Sequence, residues 1–332
     1  STLNLKVLRQ TRWLTNLWRR CQSRHLRCDV VEPYSSPGAR FVDPKVLSRI
    51  GNLKLLARNV VDGFINGLHK APYLGVSVDF AEHRGYMPGD DIRFIDWRVF
   101  ARTDRFYVKQ FEADTNANFS VMFDISRSMS FASQSISKLD YGRYLAACLT
   151  YFATTQRDRV GIVTFDNEIV TRVPPSAKHL DVVLHTLDRI EAGQPGSFEK
   201  PLFRATEFFK RRGIILLISD LYDDPQKIVN GLKPLSYAGN DVMVFHVLDP
   251  AEVDFPYDEA TSFQDLETGR KMPVVPEKLR EQYRELVQEH IATLSRLCSE
   301  NRIDYAFFNT AQPLDHGLFK FLAIREKLNR IR

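Results

Sequence analysis

FSVMFDISRSMS, residues 119–130, joins an apolar run to a cluster of polar side chains. The run from Phe119 to Met122 reads as a buried strand, yet it ends in one carboxylate and three hydroxyls, Asp124, Ser126, Ser128 and Ser130. Such a cluster is a helix cap, a nucleophile with its helpers, or a set of oxygen ligands for a hard cation. The residues on either side have to choose among the three.

Downstream, strands and helices alternate. SVMFD is followed by a helix predicted over Lys138 to Gln156, then the strands VGIVTFD and IVTRV, and helices near Lys178 to Ile190 and Lys200 to Arg212. GIILLISD, a helix over Gln226 to Leu235, VMVFHVLD, a long helix over Glu277 to Cys298, YAFFN and a last helix from Leu314 to Ile331 complete the series. Apolar strands alternating with amphipathic helices predict a doubly wound, mostly parallel α/β sheet covered on both faces. Upstream, apolar residues Leu53, Leu56, Val60, Val61 and Phe64 recur at helical spacing within 44–69. Strand candidates follow at Gly75 to Phe80 and Phe106 to Phe111. The organisation expected is a basic, partly ordered tail over 1–40, a small helical and charged accessory region over 41–116, and the α/β domain over 117–332.

The chain of 332 residues is 44% hydrophobic and 26% charged, ordinary globular material. Its four cysteines, Cys21, Cys28, Cys148 and Cys298, are too few and too scattered for a disulfide framework and fit a reducing compartment. Cys21 and Cys28 flank His25, but a structural zinc site needs four close ligands. No stretch has the roughly 18–20 apolar residues that cross a bilayer, so a cytoplasmic protein is expected. Residues 1–28 hold seven basic side chains and no acid, with Trp13, Leu14, Leu17 and Trp18 among them. That segment suits an anionic membrane surface or a targeting role. The remainder carries 39 basic and 41 acidic residues, which excludes a generally basic, nucleic-acid-coating protein.

In a doubly wound sheet, ligands sit beyond the carboxyl ends of the strands, near the point where strand order reverses. Two predicted strands end there in acids, at Asp124 and Asp220. Asp124, Ser126 and Ser128 form D-x-S-x-S, a spacing that turns three oxygens toward one point. Oxygen ligands of low total charge suit Mg²⁺, which keeps coordination positions for water or a partner.

FDISRSMS, with ISD at 218–220, resembles the metal-ion-dependent adhesion site of von Willebrand factor A domains. The run EHRGYMPGDDIRFIDWRVFARTDRFYVKQFEADTN, residues 82–116, is more specific. It resembles domain-of-unknown-function family 58, A-domain proteins encoded beside MoxR-type AAA+ ATPases, and the likeness continues through LDPAEVDFP, FQDLETG and PLDHGLFKFLAIRE. It covers about residues 45–326. The resemblance implies a von Willebrand factor A-like domain in which Asp124, Ser126 and Ser128 bind Mg²⁺ or another divalent cation, directly or through water, with Asp220 as the distal acid. Such sites take a further threonine; here AGQPGSFEKPL offers Ser197, and Thr206 lies too far into a helix. In A domains the open metal position accepts a partner's Glu or Asp.

Within the charged segment, Pro88-Gly89 suits a type II turn. Asp90, Asp91, Arg93, Asp96, Arg98, Arg102, Asp104, Arg105, Lys109 and Glu112 nearly alternate in sign, so mutual pairing that mounts the accessory region on the domain is expected, anchored by Phe94 and Trp97. Enzyme readings fare worse. An aspartate-nucleophile phosphatase needs a second carboxylate two residues after Asp124, where Ser126 stands. No G-x-S-x-G elbow surrounds Ser126 or Ser128, the eight histidines form no motif around them, and no phosphate loop is present. The expectation is a non-catalytic adaptor for a MoxR-type ATPase or its client, with a membrane-associated scaffold recruited by the basic tail as the alternative.

Overall fold

A computed structural model of the chain describes residues 52–70, 80–87, 95–111, 117–209, 211–257, 261–264, 271–274, 276–314, 316–317 and 319–321. The basic tail, Cys21, Cys28, Phe94, the Pro88-Gly89 turn and the final turns of the last predicted helix lie outside them. In chain order the elements begin with α1 (Leu53–Lys70), β1 (Phe80–Gly85), α2 (Trp97–Thr103), β2 (Tyr107–Phe111), β3 (Asn118–Asp124) and α3 (Lys138–Thr155). Then follow β4 (Arg159–Phe165), β5 (Ile169–Ser176), α4 (Leu180–Asp188), α5 (Glu199–Phe208), β6 (Gly213–Ser219) and α6 (Pro225–Tyr237). The series closes with β7 (Asp241–Leu248), α7 (Pro250–Asp254), β8 (Thr261–Gln264), β9 (Lys271–Val274), α8 (Pro276–Glu300) and β10 (Asp304–Asn309).

Six strands form one sheet in the order β10-β7-β6-β3-β4-β5. Five run parallel, and β5 pairs with β4 antiparallel at the edge. The sequence separates the two kinds of strand. In β3, β4, β6 and β7 every residue after the first is buried, as two covered faces demand. β5 buries only Val173 and carries Pro174 and Pro175, which an edge strand tolerates because one side has no ladder to interrupt. This is the mostly parallel sheet, covered on both faces, that the sequence predicts.

One face packs on α1, α3 and α4, through a cluster that includes Leu56, Ala57, Tyr141, Leu145, Phe152 and Phe321. Helix α1 is thus built into the domain core and does not stand apart from it. The other face packs on α5, α6 and α8 through Leu202, Ile228, Leu232 and Leu294. A third cluster, Phe131, Tyr222, Leu248, Phe255, Tyr283 and Val287, closes the carboxyl edge of the sheet. Close approach on the first face needs Gly142, because a Cβ there would lie 2.7 Å from the ring of Phe123.

The accessory unit is the two-stranded antiparallel sheet β1-β2 with the short helix α2. Trp97 is 59% exposed there, contrary to its expected burial, and Phe106 is 46% exposed. The rings of Trp97, Phe100 and Phe106 pack on one another instead, Phe100 and Phe106 stacked at 4.4 Å. Arg98, Arg102, Asp104 and Arg105 are exposed, and no ion pair joins them to one another among the described residues. The expected partners Asp90, Asp91, Arg93 and Glu112 lie outside the described residues. Asp96 acts locally as the cap of α2, its carboxylate accepting from the backbone N–H of Arg98 at 2.9 Å and of Val99 at 3.2 Å.

Candidate functional site

Strand order reverses between β3 and β6, since the chain leaves β3 toward β4 and β5 and returns to β6 on the other side. Asp124 ends β3, and Asp220 directly follows β6, so both acids reach the same carboxyl edge at the reversal. Asp124 Oδ1 accepts from the N–H of Ser126 at 2.8 Å, and Oδ2 accepts from the hydroxyl of Ser219 at 2.6 Å. The hydroxyls of Ser126 and Ser128 lie 3.0 Å apart. Asp124, Ser126 and Ser128 are all buried.

Helix capping does not account for this cluster. Ser126 precedes a 3₁₀ turn at Arg127–Ser130, yet its hydroxyl makes no capping bond. The N-terminus of α3 is capped by Ser137, whose Oγ accepts from Asp140 N at 3.0 Å. Ser130 is turned away and donates to the carbonyl of Arg127.

The loop before α5 closes over the serines. Gly193 N donates to the Ile125 carbonyl at 2.6 Å, Arg127 N donates to the Gln194 carbonyl at 3.2 Å, and Asp166 accepts from Gln194 N at 3.0 Å. Gly196 sits so near Ser126 that a Cβ on it would lie 2.6 Å from Ser126 Cβ. Ser197, half-buried, follows Gly196 and its backbone N–H donates to the Asp166 carbonyl at 3.3 Å. Thr206 lies on α5, its hydroxyl donating to the carbonyl of Phe203.

Beneath the cluster is a cation that the sequence reading missed. Lys138 is fully buried, and its Nζ donates to Asp220 Oδ2 and to Glu252 Oε1, each at 2.8 Å. Its ammonium also lies 4.8 Å from the ring centroid of Tyr222. Glu252 is in turn fixed by the cap of α7, where Oε2 accepts from Asp249 N at 3.0 Å. Asp249 accepts from the N–H of Ser133 at 2.9 Å and also from its hydroxyl, tying the β3 loop back to β7.

The histidines, which form no sequence motif, also serve this edge. A carbonyl can only accept, so His246 Nε2–H donates to the Asp220 carbonyl at 2.9 Å, leaving Nδ1 to accept from the Tyr305 hydroxyl at 2.6 Å. His290 Nε2–H donates to the Leu221 carbonyl at 3.0 Å. Leu221 has φ of 50°, the left-handed region, and Ser219 Oγ accepts from its N–H at 3.0 Å. Burial, with His290 beside it, keeps His246 neutral by pushing its pKa well below the usual imidazole range. Burial likewise lowers His290.

Burial raises Asp124 to about 7, the charge of Asp220 adds to the rise, and the bonds from Ser219 and Ser126 oppose it. Glu252 is also raised to about 7 by burial, against the pull of Lys138. Burial alone would lower Lys138, but Asp220 and Glu252 hold its pKa above the ordinary value. Three carboxyl groups and one ammonium thus meet in a space closed to water, where burial penalises the ionised form of Asp124 and Glu252. Asp124 with two neighbouring hydroxyls is a hard-oxygen donor set, and a divalent cation would offset the carboxylate charge. The residues present fit Mg²⁺.

A family model described as "Protein of unknown function DUF58" matches residues 82–293. An uncharacterized protein of Mycobacterium tuberculosis is 29% identical over 276 residues, covering 80% of this chain and 86% of the relative, and one from Mycobacterium bovis matches equally. Among solved structures, an aerotolerance-related membrane protein from Bacteroides fragilis aligns with 17% identity and a TM-score of 0.45, over 64% of this chain and 99% of that one. BatB from Bacteroides thetaiotaomicron aligns with 17% identity and a TM-score of 0.44 over the same shares. The vWF domain of the pili tip protein Mfa5 from Porphyromonas gingivalis has 11% identity and a TM-score of 0.34, over 65% and 97%. No helix among the described residues is long and apolar enough to cross a membrane.

Proposed function

This chain belongs to the DUF58 family, and from that premise we propose that it is a non-catalytic, metal-dependent docking adaptor. Asp124, Ser126 and Ser128 would hold Mg²⁺, Ser197 would complete the set from the closing loop, and Asp220 would act as the distal acid. Bound there, the ion supplies an electrophilic point for one acidic side chain of a partner. The partner is a MoxR-type AAA+ ATPase or the client that such an ATPase matures or surveys.

The observation that carries this reading is the buried Asp124–Ser126–Ser128 cluster at the strand-order reversal, with capping assigned to Ser137. A catalytic role finds less support. His246 and His290, at this edge of the sheet, each commit Nε2 to a backbone carbonyl.

The test is capture of a purified MoxR-type ATPase, and of a whole proteome, on wild type and Asp124→Ala, each with Mg²⁺ and with chelator. Binding that needs both metal and Asp124, weakened at least about tenfold without either, is expected. Equal capture with chelator sinks the docking reading. The seven basic residues of 1–28 favour a second reading, recruitment to an anionic membrane. Vesicle sedimentation of the full chain against a chain starting at Phe41 separates it from docking.

A further inference from the structure

Lys138 stands in a place where a lysine is costly. It is fully buried, opens helix α3, and spends its ammonium on two carboxylates from two other elements, Asp220 after β6 and Glu252 in α7. Solvation cannot explain it, and a helix start needs no lysine, since α3 already has its cap in Ser137. Two acids thus share one ammonium, close beside Asp124. Were the carboxyl edge only a structural seam, apolar residues of similar size would hold it as well or better.

We propose that Lys138 is a positioning residue for the cation site, which holds the Asp220 carboxylate off the ion and so keeps a coordination position open for a partner's acid. The inference rests on the metal-docking reading above. Asp220 Oδ2 is occupied by Nζ at 2.8 Å, and the Asp220 carbonyl is occupied by His246 at 2.9 Å, so side chain and backbone are both restrained. Glu252 is the brace on the far side. Its two oxygens are divided between Lys138 and the N–H of Asp249, which fixes where the ammonium sits. An Asp220 held this way contributes charge to the ion without ligating it. A free Asp220 would become a second anionic ligand, binding metal more tightly and neutralising the electrophile that a partner's carboxylate has to find.

The experiment is a thermodynamic cycle on Mg²⁺ affinity, measured by calorimetry on the full chain and repeated as the Mg²⁺-dependent rise in melting temperature. The variants are Asp220→Asn, the pair Lys138→Met with Glu252→Gln, and the two combined. The pair removes the ammonium together with one opposing carboxylate, so net charge is unchanged. Releasing Asp220 should tighten Mg²⁺ about tenfold in the pair, and adding Asp220→Asn should abolish that gain. In the wild-type background, Asp220→Asn should change affinity by less than about threefold. Mg²⁺ binding to wild type with an equal or weaker affinity in the pair overturns the positioning role and leaves docking standing. Failure of wild type to bind Mg²⁺ overturns both. If the pair does not fold, Asp220→Asn alone decides: a loss beyond about a hundredfold, more than an outer-sphere group gives, makes Asp220 a direct ligand and ends the proposal, and a smaller change supports it.

Discussion

The carboxyl edge of the large sheet and the small β1–α2–β2 unit use the same residue types in opposite ways. At the edge, Asp124, Asp220, Lys138 and Glu252 are removed from water, and each has named partners at hydrogen-bond distance. In the small unit Arg98, Arg102, Asp104 and Arg105 face solvent, while Trp97, Phe100 and Phe106 pack mainly on one another. The difference is one of dielectric. A charge in water is nearly indifferent to its neighbours, whereas a charge in the interior must be answered by a specific group. Density of charge in a sequence therefore says little about function; enclosure says more.

The comparison breaks most easily at Lys138. Substituting Ala leaves two buried carboxylates without a counter-ion, and removing one partner of a buried pair costs about 3–5 kcal/mol. Denaturant unfolding of Lys138→Ala without metal should read a loss of that size. A loss below about 1 kcal/mol would mean that Asp220 and Glu252 are solvated after all.

The next effect is on pH. Asp124 and Glu252 have folded pKa values of about 7, above their ordinary values of 3.8 and 4.5. Between those limits the native state binds more protons than the unfolded chain, so metal-free stability falls as pH rises from about 4.5 through 7. The penalty is absent below the unfolded values and complete above the folded ones, on the order of 3–4 kcal/mol per group. Mg²⁺ competes with the proton on Asp124, so the melting-temperature increment from Mg²⁺ should grow as pH rises through 7. Asp124→Asn should flatten the Mg²⁺ trend and remove the Asp124 share of the metal-free trend, leaving the share of Glu252. A wild-type Mg²⁺ increment that is the same at about pH 5.5 and 8 removes Asp124 from the site.

The fold was legible because its signals are local. Buried parallel strands are continuous apolar runs, and FSVMFD, GIILLISD and VMVFHVLD have no other comfortable place. Asp124, Ser126 and Ser128 were legible for the same reason, as neighbours in sequence that meet in one loop. Lys138 was not. A lysine at the start of an amphipathic helix reads as a solvated residue, and only the joining of α3, β6 and α7 encloses it. Glu252 hides as a helix-capping acid, and His246 hides as one polar position inside an apolar strand. Trp97 misled in the other direction: a large aromatic residue in a charged stretch reads as an anchor, while here it finds its neighbours on the surface.

The smallest effect sharpens the contrast from its other side. Arg102 lies in the last turn of α2, exposed, where among the described residues its charge meets the weak field of a seven-residue helix. Such an interaction gives a few tenths of a kcal/mol at low salt and is screened further at physiological ionic strength. Arg102→Ala should therefore shift stability by less than about 0.5 kcal/mol and leave the Mg²⁺ increment untouched. Melting curves of wild type and Arg102→Ala at low and high salt, with and without Mg²⁺, make the measurement. A loss above about 1 kcal/mol that persists in high salt would show Arg102 held by a specific buried partner, because solvent-exposed electrostatics cannot survive that screening. Enclosure would then extend to the small unit, and the division between its solvated charges and the answered charges of the carboxyl edge would fail.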